Sequence, residues 1–156
     1  MKKLFVMMML AFLPAMMANA GGFDAVFNEF KDVENAEYVS IPKSLMKLGV
    51  ATSGVSKDVP IAKKATGMKV LNIPATDTSL IERFDKSIAV ASAPENVEEI
   101  LRATSDGEKC KIYFERDGDK IKGVYILAIE PSEVSLIGIT GKFTQEDIAQ
   151  LIADNQ

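Results

Sequence analysis

The stretch that decides the fold runs from Glu108 to Phe143 and reads, in order, EKCKIYFE, RDGDK, IKGVYILAIE, PSE and VSLIGITGKF. Three apolar runs are separated here by two short polar breaks. The first break carries Asp117 and Gly118, a pair typical of tight hairpins because glycine adopts a positive φ without steric cost. The second carries Pro131, which has no N–H to donate to a neighbouring strand. The stretch therefore predicts three consecutive antiparallel strands.

The remainder of the chain alternates predicted helices and strands. Apolar residues at i, i+3, i+4 and i+7 from Phe23 to Phe30 predict a helix with one apolar face. Proline-bounded apolar runs predict strands at Glu37–Ile41 and Met68–Ile73, and a serine-, threonine- and glycine-rich loop is expected at Val50–Val59. Four further helices are predicted. One begins at Pro42 and continues through Ser44 to Leu48, one is capped by Asp77 or Thr76, a short one runs from Pro94 through Leu101, and a last one is capped by Thr144.

This order of elements is typical of an α+β domain. We expect one mainly antiparallel sheet of about five strands that ends in a three-strand meander, with helices packed mostly on one face. No internal repeat or linker divides the chain, so residues 21–156 are predicted to form a single domain.

The first twenty residues have the pattern of an export signal. Lys2 and Lys3 precede an apolar run, Leu4–Met17, and Ala18-Asn19-Ala20 offers the small-x-small pattern cleaved by signal peptidase. An uncleaved membrane anchor is the alternative, but the run contains a proline and is shorter than the roughly 20 residues of a membrane span. No cysteine follows Ala20, so lipid attachment is not expected. The sequence predicts a signal peptide at residues 1–20 and a periplasmic protein with no stable membrane span after cleavage.

Composition argues against several classes of function. The 18 basic and 22 acidic residues give a net charge of −4, which disfavours binding to nucleic acid. The chain has no histidine and one cysteine, so it lacks the commonest general base and the usual zinc ligands. We therefore expect no metal, no cofactor and no enzymatic activity.

Three local patterns have simpler interpretations than catalysis. Cys110 alternates with Ile112 and Phe114 and is interpreted as a buried small hydrophobic residue. Ser44–Lys47 matches the S-x-x-K of serine acyl enzymes but lacks the companion motifs. Asp117-Gly118-Asp119 lacks the further oxygen ligands of a calcium loop and is interpreted as a hairpin tip.

The middle strand suggests an interaction. Val124–Ile129 is apolar at every position, as is Leu136–Ile139, whereas a sheet with one face in water alternates apolar and polar residues. Either helices cover more than one face or a partner buries the second face. The candidate contact residues are Tyr113, Tyr125, Ile126 and Ile137, with the two tyrosines interpreted first as ordinary sheet residues.

The preferred function is that of an exported, non-enzymatic envelope protein that acts by binding another protein. The partner is expected to be another envelope protein or a second copy of the chain. The main alternative is a small-molecule or lipid binder that uses an apolar groove between helices and sheet, and a hydrolase ranks third.

The chain also resembles a known family. The relevant segments are VEEILR, DGEK, IY, GDKIK, IGITGKF and DIAQL, which together span Val97 to Leu151. They resemble the family called domain of unknown function 4252, small exported proteins of Bacteroides-type bacteria. The resemblance implies a periplasmic or envelope protein without an assigned activity, and it transfers no functional residues. The family includes lipoproteins, and the absence of a cysteine after Ala20 departs from that pattern.

Overall fold

The computed structural model describes residues 22–46 and 63–154. The signal peptide predicted for residues 1–20 and the loop predicted for residues 50–59 lie outside this range. The described elements follow one another in the order α1 (Phe23–Phe30), β1 (Glu37–Pro42), β2 (Ala65–Pro74), α2 (Thr78–Ser92), β3 (Val97–Ser105), β4 (Glu108–Asp117), β5 (Lys120–Ile129), β6 (Glu133–Phe143) and α3 (Gln145–Asp154).

The strands form one antiparallel sheet of six strands in the spatial order β1-β2-β6-β5-β4-β3. Four consecutive strands, β3 to β6, follow one another across the sheet. Strand β2 pairs with β6, so the chain must cross from β2 to the far edge before β3 begins, and α2 lies in that connection. The predicted α+β class with a mainly antiparallel sheet is confirmed.

The three strands predicted from the opening stretch are present, and a fourth was missed. The helix predicted from Pro94 through Leu101 is wrong, because Val97–Ser105 is strand β3 and pairs with β4. A register shift between Glu99 and Leu101 explains the error. An extra residue in a β-bulge interrupts the two-residue alternation of a strand, so the apolar residues acquire a spacing that resembles a helix. The sheet therefore has six strands where about five were expected.

Tight turns join β3 to β4 and β4 to β5, the second of them at the predicted Asp-Gly pair. Gly118 has φ 60° at the β4–β5 hairpin, and Asp106 and Gly107 have φ 49° and 82° between β3 and β4. Two successive residues with positive φ are typical of the two-residue turn whose twist matches that of the flanking strands.

Helices α1 and α2 cover one face of the sheet, here called the first face. Phe23, Phe27 and Phe30 of α1 are fully buried against side chains of α2 and the sheet. The ring of Phe23 stacks on that of Tyr125, with centroids 4.1 Å apart. Gly138, the neighbour of Tyr125 on β6, leaves the space that the rings of Phe27 and Tyr125 occupy.

Helix α3 is anchored at its first turn. The Thr144 N–H donates to Asp147 Oδ2 at 2.8 Å, and the Asp147 N–H donates to Thr144 Oγ1 at 3.2 Å. This is the reciprocal bonding of a capping box, made with aspartate in place of glutamate. Lys64 Nζ also donates to Asp147 Oδ2 at 2.7 Å and ties the helix to the start of β2. Ile148 then packs against a second apolar cluster formed with Phe114 and other sheet residues.

We expect Asp147→Asn to lower the free energy of unfolding by about 1 kcal/mol at neutral pH. The substitution removes the negative charge that accepts from the Thr144 N–H, and with it the ion pair with Lys64. The bonds from Lys64 and from the Thr144 N–H hold the pKa of Asp147 below its usual value. Because the pKa of Asp147 is lower in the folded protein than in the unfolded chain, the ionised carboxylate stabilises the fold above pH ~4. This stabilisation is lost as the pH falls through the folded-state pKa. Urea unfolding across the acid range should therefore show the difference between the two proteins shrinking toward zero.

Asp117→Asn, at the exposed tip of the β4–β5 hairpin, is the matched control. The role assigned to Asp147 is contradicted if Asp147→Asn costs no more than this control, or if its cost is the same at every pH.

Candidate functional site

The sheet face opposite α1 and α2, here called the second face, carries an apolar row that crosses every strand. Its members are direct neighbours in the strand register, each paired with the next across the sheet. From one edge to the other this middle row consists of Val39, Val70, Ile137, Ile126, Ile112 and Leu101. Because paired residues of antiparallel strands point to the same side, all six side chains project from the second face.

A further row flanks the middle row on each side. On the side nearer α3, the row consists of Ile41, Met68, Ile139, Val124, Phe114 and Glu98. On the other side, the side chains are mostly small or polar, namely Glu37, Asn72, Ser135, Ala128, Cys110 and Ala103. The three rows span about 24 Å across the strands and about 14 Å along them, given the usual strand spacing and rise.

The middle row is apolar, uncharged and partly exposed to solvent, with its four central members half-buried and its two edge members exposed. None of its six members is buried, and Val39 and Leu101 at the edges are 52% and 44% exposed. Within residues 22–46 and 63–154, Met46 and Ile148 pack on the second face, and both lie at its α3 end. Contiguous exposed apolar patches larger than a few hundred Å² are typical of surfaces that meet another molecule.

Charges near this face lie at its margins, and those of Glu98 and Lys64 are paired. At the β3 edge, Arg116 Nη2 lies 2.9 Å from Glu98 Oε2, and the guanidinium sits 6.0 Å from the centre of the Phe114 ring. At the α3 end, Lys64 pairs with Asp147. A rim of paired charges around an uncharged centre resembles the arrangement of protein–protein interfaces.

The four residues predicted as partner contacts divide between the two faces. Ile126 and Ile137 are paired neighbours in the middle row of the second face. Tyr113 and Tyr125 are also paired, but they project from the first face, where they are 5% and 4% exposed beneath Phe23. Burial, followed by the nearby charges of Glu115 and Asp24, raises the pKa of Tyr125. The tyrosines are core residues here, which agrees with their first interpretation as sheet residues.

The second face also contains residues that the sequence did not single out. Val39, Val70 and Leu101 belong to the middle row. Leu101 was missed because the bulge in β3 disturbs the strand pattern around it. Cys110 was predicted to be buried, but it is half-buried in the row of small residues on the second face. The alternation of residues along β4 correctly predicted which face Cys110 projects from, since Cys110 shares a face with Ile112 and Phe114.

A groove between α1 and the sheet corresponds to the alternative function of ligand binding. It has a volume of about 220 Å³ and is lined by Phe27, Tyr125 and the ion pair of Asp24 with Lys69, whose atoms are 3.0 Å apart. Pockets that enclose small-molecule ligands usually measure about 300–1,000 Å³. The groove is therefore smaller than such pockets.

The described part of the chain contains neither a metal-binding cluster nor a membrane-spanning helix. Across residues 22–46 and 63–154, there is no group of three or more Cys, Asp or Glu side chains that could hold a metal ion. No helix within these residues has the length and apolar character needed to cross a membrane.

A family model described as "Domain of unknown function (DUF4252)" matches residues 30–151, which is most of the chain. The match includes every strand of the sheet and the start of α3. No curated protein and no solved structure matches the sequence.

Neighbouring residues on β6 provide a direct comparison of the two faces. Leu136 is fully buried on the first face, whereas Ile137 is half-buried on the second. We expect Leu136→Ala to lower the free energy of unfolding by about 3 kcal/mol and Ile137→Ala by about 1 kcal/mol, because the cost follows the cavity left in a closed core. Urea unfolding in dilute solution measures both. Equal losses would mean that the second face is as fully covered as the first.

Proposed function

The chain belongs to the DUF4252 family, and we propose that it is an exported, non-enzymatic protein of the cell envelope that acts by binding another protein through the second face of its sheet. The observation that carries this proposal is the middle row, in which six uncharged apolar side chains are aligned across the whole sheet without being buried. Water contact with such a row is unfavourable by about 25 cal/mol per Å² of apolar area, and a partner would remove that cost.

Sheet geometry supports a protein as the partner. The second face is broad, and its middle row encloses no volume for a small molecule, whereas another protein can cover a broad sheet face. The groove beside Tyr125 is the best support for the alternative ligand-binding function, and its small volume makes that function the weaker of the two.

The proposed location rests on the sequence of the first twenty residues. The positive start, the apolar run and the small residues at positions 18 and 20 favour export followed by cleavage before Gly21. The family description is compatible with this location and assigns no activity.

Photo-crosslinking in intact cells tests the proposal. A photoreactive amino acid replaces Ile126 in the full-length chain, and a matched variant carries it at Val90, which is 74% exposed on α2, outside the second face. We expect a covalent adduct with one identified protein from position 126 and none from position 90. Mass spectrometry of the same sample also identifies the N-terminus, which we expect at Gly21.

A second position on the second face, Val70, must give the same adduct, because it lies in the same row. Absence of an adduct from both second-face positions, or identical adducts from these and from position 90, would contradict binding through this face.

A further inference from the structure

Strand β3 forms an open edge of the sheet. It is nine residues long, and every residue after Val97 is exposed, including the apolar Ile100 and Leu101. Within residues 22–46 and 63–154, β3 pairs with β4 alone and no strand lies on its outer side. An open edge strand presents backbone N–H and C=O groups with which a strand of another chain can pair.

The turn between β3 and β4 determines which backbone groups face outward. Its two residues have positive φ, and in such a hairpin the residues that flank the turn, here Ser105 and Glu108, form a hydrogen-bonded pair. Hydrogen-bonded and non-hydrogen-bonded pairs then alternate along the two strands. The N–H and C=O groups of Thr104 and Arg102 therefore point away from β4, toward any strand that approaches this edge.

A β-bulge interrupts this edge. Glu99 and Leu101 are paired with consecutive residues of β4, so Ile100 between them is an extra residue without a partner. A bulge bends its strand and breaks the even spacing of the backbone groups. An incoming straight strand that pairs with the outward groups near the turn therefore loses its alignment at Ile100.

Ion pairs lie beside the bulge on both faces of the sheet. On the first face, Arg102 Nε and Nη2 donate to Glu99 Oε1 and Oε2 at 2.6 and 2.9 Å. On the second face, Arg116 Nη2 lies 2.9 Å from Glu98 Oε2. Charges in an edge strand disfavour pairing, because an added strand would take water away from them and set its own side chains against them.

The other edge of the sheet is limited in a different way. Strand β1 has six residues and ends in Pro42, which has no N–H to donate to an incoming strand. Short length and proline are both common protections of sheet edges. Strand β3 is longer and contains no proline, so its bulge and its charges are the features that oppose pairing there.

We propose that the bulge at Ile100, together with the flanking ion pairs, prevents other chains from adding a strand to β3. A long open edge with exposed apolar residues would otherwise join copies of the chain edge to edge. Contact with other proteins is thereby directed away from this edge of the sheet. The proposal goes beyond the proposed function, since it concerns the edge and holds whichever partner binds the second face.

Deletion of Ile100 tests the proposal. The deletion removes the extra residue and restores the two-residue alternation of β3, so the remaining residues keep their faces and their partners on β4. We expect self-association, measured by light scattering, at a concentration at least about tenfold lower than for the unaltered protein. Circular dichroism checks that the variant is folded.

Thr104→Pro, made in the deletion variant, is the matched control. Proline removes an N–H that points away from β4, so the pairing of β3 with β4 should persist while strand addition is blocked. We expect the self-association caused by the deletion to disappear. Association that persists would use another surface and would contradict the role assigned to the bulge.

Hydrogen exchange of the backbone amides reports on the edge directly. In the unaltered protein, the N–H groups of Arg102 and Thr104 should exchange rapidly at every concentration, whereas association of the deletion variant should slow them at least about tenfold. Slow exchange of these two groups in the unaltered protein at high concentration would overturn the proposal. A folded deletion variant that associates no more than the unaltered protein would also overturn it.

A second variant keeps the test decisive if the deletion prevents folding. Glu99→Thr combined with Arg102→Thr removes the ion pair on the first face and leaves every strand at its length. We expect this variant too to associate at a concentration at least about tenfold lower than the unaltered protein. Unchanged association would overturn the proposal.

Discussion

The pairing of Tyr125 with Gly138 determines how the two faces of this sheet are used. Gly138 has no side chain, so the ring of Tyr125 can lie across it and the ring of Phe27 can approach it closely. The first helix then docks with Phe23 stacked on Tyr125. The same register places Ile126 beside Ile137 on the opposite face. A slip of one residue would exchange the two sets of side chains, so the core and the second face depend on one alignment.

This alignment leaves the chain with more apolar sheet surface than its described helices cover. Helices α1 and α2 bury the first face, whereas α3 reaches the end of the second face. The strands cannot avoid this excess, because β5 and β6 are apolar at consecutive positions and a strand must point alternate residues to opposite sides. Burying the second face in an interface would allow such strands to persist in a protein whose net charge is only −4.

Local signals in the sequence predicted much of the fold. The Asp-Gly turn and Pro131 define the last three strands, and Thr144 with Asp147 defines the start of α3, because each signal acts over a few residues. Strand β3 was mistaken for a helix, since its bulge disturbs the alternation that identifies a strand. The pairing of β2 with β6 joins residues far apart in the chain, and no local pattern predicts it. For the candidate site, the sequence indicated a doubly apolar strand. It did not show that Tyr113 and Tyr125 lie on one face while Ile126 and Ile137 lie on the other.

Binding through the second face requires that protein cover this face in the cell. Carbene footprinting with mass spectrometry measures this directly, by comparing modification of Ile126 and Ile137 in intact cells with that in dilute purified protein. We expect strong modification of both residues in dilute solution and marked protection in cells, with Val90 on α2 modified equally in both. Equal modification of the middle row in the two samples would contradict binding through this face.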